Sequence, residues 1–224
     1  MPVLAVIGAG PGLGLSIARR FGREGFQVAL VSRTQDKLDA LAAQLADEGI
    51  EAAGFAADVT RPDSLQSALA AVADRFGAVD LLEYSPADPT FAGAAAVDAT
   101  AQDLHKQLDY YLYGAVAAVR QVLPAMLERG SGTLLFTTGA SSVRPLGGAF
   151  GSVGVAAAAL RNYAMALGVD LAESGVHAAH VAIGVFIGSG PGTEPETIAE
   201  HYWDAYTKRD QAEIVVHTVP GGIW

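Results

Sequence analysis

Seven consecutive residues near the N-terminus, Gly8-Ala9-Gly10-Pro11-Gly12-Leu13-Gly14, have the composition of a turn that holds a pyrophosphate. Glycines permit a tight turn and let phosphate oxygens approach backbone N–H groups. A helix opening directly after the turn adds unpaired donors and the positive end of its dipole. A glycine pattern alone is a weak signal, and its context decides. Here the apolar run 3–7 precedes the turn and reads as a buried strand. Residues 12–23 follow as a helix with Leu13, Ile17, Ala18 and Phe21 on one face. The turn therefore predicts dinucleotide binding, with Gly8, Gly10, Pro11, Gly12, Leu13 and Gly14 against the cofactor.

A second apolar strand, 27–31, runs into Ser32-Arg33. A site for NAD usually places an acidic residue about 20 residues past the glycines, where it holds the ribose 2′-hydroxyl. Ser32 is neutral, and the Arg33 guanidinium can grip a 2′-phosphate in a forked, charge-assisted geometry, with Lys37 nearby. This predicts NADP(H) rather than NAD(H).

The elements that must position these residues alternate. Strands are expected at 51–57, 79–84, 133–138, 176–183 and 212–217. Helices are expected at 36–48, 62–76, 104–127, 153–172 and 195–208, with Pro124 kinking the last turns of the fourth expected helix, 104–127. Apolar strands separated by crossover helices predict one domain over 1–224 with a doubly wound, Rossmann-type α/β fold. Its parallel sheet of about seven strands is covered by helices on both faces.

Gly8-x-x-x-Gly12-x-Gly14, Arg33 after the second strand and Asp58-Val59 after the third resemble the short-chain dehydrogenase/reductase family over 3–183. The resemblance implies an NADP(H)-dependent oxidoreductase acting on a small molecule, with Asp58 and Val59 at the adenine and Ser85 and Pro86 beside the cofactor. It also implies a homodimer or homotetramer joined through the helices 104–127 and 153–172, whose faces are rich in Ala and Gly.

The family's catalytic pattern is replaced. Its Asn-Asn-Ala-Gly after the fourth strand is Glu83-Tyr84-Ser85-Pro86 here. Its helix Asn is Tyr111, its Ser falls at Thr137-Thr138, and its Tyr and Lys are Phe150 and Gly154. Phe150 has no proton to give and Gly154 has neither charge nor donor, and losing a placed acid lowers rates by about 10²–10⁴. Tyr111, Thr137 and Thr138 are left as candidate catalytic residues. The expected chemistry is hydride transfer to an already activated carbon, such as an imine, iminium or activated alkene. The alternative is a cofactor-binding homologue without redox activity: a sensor, a partner subunit or a non-redox catalyst such as a cyclase.

Glu83 and Asp109 are further acid/base candidates with no evident partner, and this reading places both in solvent or on a helix surface. His177 and His180 point to opposite faces of their strand, and the five His show no metal pattern. The net charge of −10 opposes binding to nucleic acid or anionic lipid, and the absence of Cys excludes disulfides and thiolate chemistry. No basic, apolar leader is seen, and the most apolar run, 153–171, is broken by Arg161, Asn162 and Asp170, so a cytoplasmic protein with no membrane span is expected. The short Gly/Pro-rich loop 185–194 predicts an open pocket, or one completed by another subunit.

Overall fold

The computed structural model describes residues 1–88 and 91–217; part of the segment 85–99, whose sequence reads as a loop, lies outside them. Strands β1 (Val3–Ile7), β2 (Gln27–Ser32), β3 (Ala52–Ala56), β4 (Leu81–Tyr84), β5 (Gly132–Gly139), β6 (Val176–Ile183) and β7 (Glu213–Val216) form one sheet. Its order is β3-β2-β1-β4-β5-β6-β7, and every pairing is parallel. The expected Rossmann-type doubly wound sheet is what the chain forms.

Both faces are covered, so the strands are apolar throughout rather than alternating. Helices α1 (Leu13–Gly22), α2 (Gln35–Asp47) and α7 (Pro195–Lys208) pack on one face, around Leu4, Val6, Leu30, Leu135 and Val181. Helices α3 (Pro62–Phe76), α5 (Gly114–Arg129) and α6 (Phe150–Asp170) pack on the other, around Ala5, Ile7, Leu82, Phe136 and Ala178. Helix α7 is tied to α1 by the Ser16 hydroxyl, which donates to Glu196, and by the Arg20 guanidinium lying 4.4 Å from the Trp203 ring centre. Helix α6 is long and apolar enough to cross a membrane by length and composition, despite its charged interruptions. In the fold it is a crossover helix, with Ala156, Ala157, Leu160 and Ala164 buried against the sheet and its surroundings.

The expected single helix over 104–127 is three pieces. Helix α4 (Ala101–Leu108) begins earlier, because Thr100 and Asp103 form a reciprocal capping box. A π turn, Asp109–Tyr113, then widens the backbone before α5. The break therefore falls at the tyrosines, while Pro124 lies inside α5. Tyr110 stacks on Phe91 at 4.7 Å, and its carbonyl accepts a hydrogen bond from the buried Tyr84 hydroxyl at 2.8 Å. Packing of these rings accompanies the wider turn, a pattern that helical periodicity does not reveal.

Gly114, directly after the π turn, has no room for a methyl group. A Cβ there would lie 2.4 Å from the Tyr84 hydroxyl and 2.6 Å from the Val59 carbonyl oxygen. Ala normally stabilises a helix over Gly by ~1 kcal/mol, but this clash is with a buried hydroxyl and a backbone carbonyl. Gly114→Ala is expected to lower stability in urea unfolding by about 1–3 kcal/mol. An unchanged midpoint would show that the α5–β4 contact yields.

Candidate active site

The glycine turn and the segment leaving β4 face each other where the chain order reverses, between β1 and β4. Open α/β sheets bind ligands in the crevice at this point, beyond the strands' C-terminal ends. One cavity, about 350 Å³, is lined by Pro11, Ser32, Arg33, Lys37, Val59 and Tyr110. A second, about 750 Å³, is lined by Gly12, Leu13, Gly14, Ser85, Tyr111 and Thr137, with Thr138, Val185 and Ile187 at its other side. Both include Gly8, Gly10, Pro86 and Ala87, so they are two arms of one groove. A larger depression, about 840 Å³, opens beside His177 and Arg209, at the opposite end of the sheet.

The turn's own packing tests whether a cofactor fits. Gly8 (φ +98°) lies so close to Pro86 that a Cβ would meet its Cα at 2.5 Å, so this glycine serves the fold. A Cβ on Gly12 would meet nothing within 4 Å, and one on Gly10 only the Gly8 oxygen at 4.0 Å. The space beside these two positions is open, as a pyrophosphate approaching the backbone requires. The residues fit a dinucleotide.

Arg33 reaches the smaller arm but is engaged there, its Nη2 lying 2.7 Å from an Asp88 carboxylate oxygen. The Arg33 side chain is 62% exposed and the Asp88 side chain 9%, so the pair lies at the boundary between solvent and interior. Asp58 is absent from the groove lining; its Oδ1 accepts from the Thr60 backbone N–H and hydroxyl, which turns the chain into α3. Val59 lines the groove.

Two polar networks meet the larger arm from opposite faces of the sheet. On the α1/α7 side, Glu83 is completely buried. Its Oε2 accepts from the Ser85 hydroxyl at 2.8 Å and its Oε1 from the Thr137 hydroxyl at 2.9 Å; the Thr137 oxygen is also 2.7 Å from the Tyr202 hydroxyl. The expectation of a solvated Glu83 is wrong: β4 is a central strand, so its end is covered on both faces. The residue's place inside an apolar strand was the available signal. Burial raises the carboxyl to about 8, and the two hydroxyls only partly oppose this, so near neutrality Glu83 holds a proton. Asp109, by contrast, sits at the start of the π turn, 3.8 Å from His105.

On the α6 side, the Thr138 oxygen lies 2.7 Å from Ser142 Oγ and 2.7 Å from His180 Nε2. His180 Nδ1 is 3.0 Å from Glu213 Oε1, and Arg161 pairs with both Glu213 oxygens, Nη2 to Oε2 at 2.7 Å. Residue spacing gives no hint of this row, because its members come from β5, β6, β7 and α6. Burial pushes the His180 imidazole below its usual range while the Glu213 hydrogen bond pulls upward; the Arg161 bond holds Glu213 below the usual carboxylate range.

Tyr111 lines the groove, and burial pushes its phenol up, away from an acid's range. Phe150 and Gly154 do not line it. Phe150 is 45% exposed, and the first turn of α6 is covered by the chain after β4, where the Ala94 N–H donates to the Ser152 hydroxyl at 2.9 Å. Among the described residues, no three His, Asp or Glu side chains gather as a metal site.

Glu83 leaves a signature in stability. Its folded value of about 8 exceeds the ordinary 4.5, so folding favours the protonated form. Its stabilisation is complete below the ordinary value and is lost as pH rises through the folded one. Unfolding free energy should fall from pH ~5 to ~8 with a Glu83 share of up to ~1.4 kcal/mol per pH unit. Glu83→Gln should flatten that fall, and parallel curves for the two proteins would contradict the burial of a titrating carboxyl.

Relatives show the same architecture. The short chain dehydrogenase family matches residues 2–190. A Streptomyces coelicolor protein provisionally named a ketoacyl reductase is 32% identical over 91% of this chain and 76% of its own length. Dehydrogenase/reductase SDR family member 4 of Sus scrofa is 29% identical over 82% of this chain, which spans 65% of that protein. Among solved structures, a variant actinorhodin polyketide ketoreductase with NADPH superposes with a TM-score of 0.77 at 29% identity, over 92% of this chain and 77% of that one. Together with the glycine turn, the strand order and the groove at the switch point, this match means that the chain belongs to the short-chain dehydrogenase/reductase family.

Proposed function

We propose that the protein binds NADP(H) and transfers hydride between it and a small molecule whose reacting carbon is already activated: an imine, an iminium or an activated alkene. The observation that carries this reading is the lining of the groove. The glycine turn, Arg33, Tyr111, Thr137 and Thr138 are on it, and Phe150 and Gly154 are not. The pyrophosphate would rest on the backbone at Gly10, Pro11, Gly12 and Leu13, beside Gly8 and Gly14. Ser32, Arg33 and Lys37 would surround the 2′-phosphate, Val59, with Asp58 behind it, the adenine, and Ser85 and Pro86 the nicotinamide end. When bound, the nicotinamide supplies or accepts the hydride. Tyr111 donates a hydrogen bond to the substrate, because its raised phenol keeps its proton. Thr137 is saturated by Glu83 and Tyr202 and shapes the floor.

Loss of the family's phenol and ammonium also supports a second reading, a cofactor-binding member without redox chemistry. NADPH oxidation across ketones, imines and activated alkenes separates the two. Turnover is expected on imines or activated alkenes, with ketones slow near neutral pH. Brisk ketone reduction overturns the activated-carbon reading, and silence on all classes alongside tight NADPH binding establishes the second. Cofactor choice is tested by calorimetry: Arg33→Ala should weaken NADPH about 10-fold or more, one lost charge-assisted contact, and leave NADH nearly unchanged. Equal wild-type affinities for the two cofactors would remove the 2′-phosphate argument.

We also infer a homodimer or homotetramer through the helices 104–127 and 153–172. Val155, Val169 and Leu127 are exposed on these elements, Val169 by 77%, an apolar exposure that a second copy would cover. Light scattering should show more than one chain at micromolar concentration; a monomer refutes this.

A further inference from the structure

The row Thr138–His180–Glu213–Arg161 has a donor geometry that the sheet core does not need. A buried strand His is commonly satisfied by one backbone or hydroxyl partner. Here both ring nitrogens are used, one by a hydroxyl and one by a carboxylate that is itself held by a guanidinium. The row also has direction. Thr138 lines the groove, His180 is completely buried, and the Glu213 side chain is 21% exposed at the far end. It therefore connects the groove to the protein surface across three adjacent strands.

We propose that Thr138 is the catalytic hydroxyl that exchanges a proton with the substrate heteroatom, with His180 and Glu213 as positioning residues that carry the proton behind it, in place of the missing phenol and ammonium. This rests on the oxidoreductase reading and assigns its proton path. Because Glu213 is a carboxylate, it accepts the His180 Nδ1 proton. Nε2 is then a lone-pair acceptor for the Thr138 hydroxyl, which turns to it from its alternative acceptor, Ser142 Oγ, at the same 2.7 Å.

In the oxidative direction, a C–H hydride of the substrate passes to the oxidised nicotinamide cofactor and a C=O or C=N bond forms. The proton on that oxygen or nitrogen goes to Thr138 Oγ1 as the proton of Thr138 moves to His180 Nε2. The resulting imidazolium is paired with Glu213. Reduction is the reverse and begins from the imidazolium.

The groups facing His180 are Thr138 and Ser142 from β5 and the turn after it, Arg161 from α6 and Glu213 from β7. Burial and Arg161 disfavour the imidazolium, and Glu213 favours it. Near neutrality the neutral ring dominates, so the row is set to accept a proton. Reduction should speed up as pH falls below the ordinary imidazole range, and oxidation should speed up as pH rises through it. Slow ketone reduction at neutral pH follows from the same cause.

The experiment has two arms. In the first, pH profiles of kcat are measured in both directions with the best substrate of the panel, for wild type, Thr138→Ser, Thr138→Val, His180→Gln and Glu213→Gln. Thr138→Ser should retain most activity. Thr138→Val and His180→Gln should lose about 10²-fold or more, with NADPH Kd unchanged, and His180→Gln should also lose the pH dependence. Glu213 is partly exposed, and Glu213→Gln, which guards against misfolding of the buried variants, should lose activity while remaining folded. Wild-type kcat and pH profile in His180→Gln overturn the proposal.

The second arm does not depend on turnover. ¹⁵N NMR of the imidazole in the NADP⁺-bound protein should show a protonated Nδ1 and an unprotonated Nε2 whose shift moves in Thr138→Val. A proton on Nε2 at pH 7.5 overturns the relay. If no substrate turns over, the oxidoreductase reading fails in the first arm and the relay is judged by the second.

Discussion

The close approach of two backbones at the switch point is the constraint on which the rest depends. Gly8, in a left-handed conformation, touches Pro86 where the chain leaves β4, and its N–H and that of Ala9 both donate to the Val31 carbonyl. This locks the end of β1 to its neighbours on both sides and sets where α1 begins. A side chain at position 8 would push the turn away from β4 and separate the two arms of the groove. The turn and both arms of the groove share this one junction.

Around it, ionisable groups are buried by two different physical solutions. Glu83 has hydroxyls but no cation beside it, so it is tolerated by keeping its proton. An ionised carboxylate there would lack compensation. Glu213 lies nearer the surface and is ionised, because Arg161 pays its desolvation with two charge-assisted hydrogen bonds. His180 lies between Thr138 and Glu213, with one ring nitrogen toward each. The parallel register makes this arrangement possible: His180 and Glu213 are direct partners, and Thr138 lies two residues beyond His180's own partner on β5, on the same face.

The glycine turn lines the groove, whereas Phe150 and Gly154 of α6 do not. The first turn of α6, where the family carries its phenol and ammonium, is occupied by backbone contacts to 93–96. The π turn at 109–113 packs Tyr110 against Phe91 and leaves Tyr111 on the groove. Thr137 and Thr138, near the end of β5, carry hydroxyls on the groove, and the hydrogen-bonded neighbours of Thr138 reach the partly exposed Glu213.

The sequence by itself determined the alternation of strands and helices, the parallel doubly wound sheet, the glycine turn and the Arg33 position, and the absence of the family's phenol and ammonium. Each is a local pattern or a residue at a fixed offset, and local backbone preference and two-sided burial make such patterns readable. Helix boundaries around the tyrosines were not readable, because ring packing against Phe91 and Tyr84 accompanies a π turn that no periodicity announces. Only the tertiary structure decided that Glu83 is buried and neutral, that Arg33 already has Asp88 as a partner, and that Thr138, His180 and Glu213 form a row. Those facts depend on which residues of separate strands stand side by side. Strand order and register fix that, and each residue's burial then sets its protonation state.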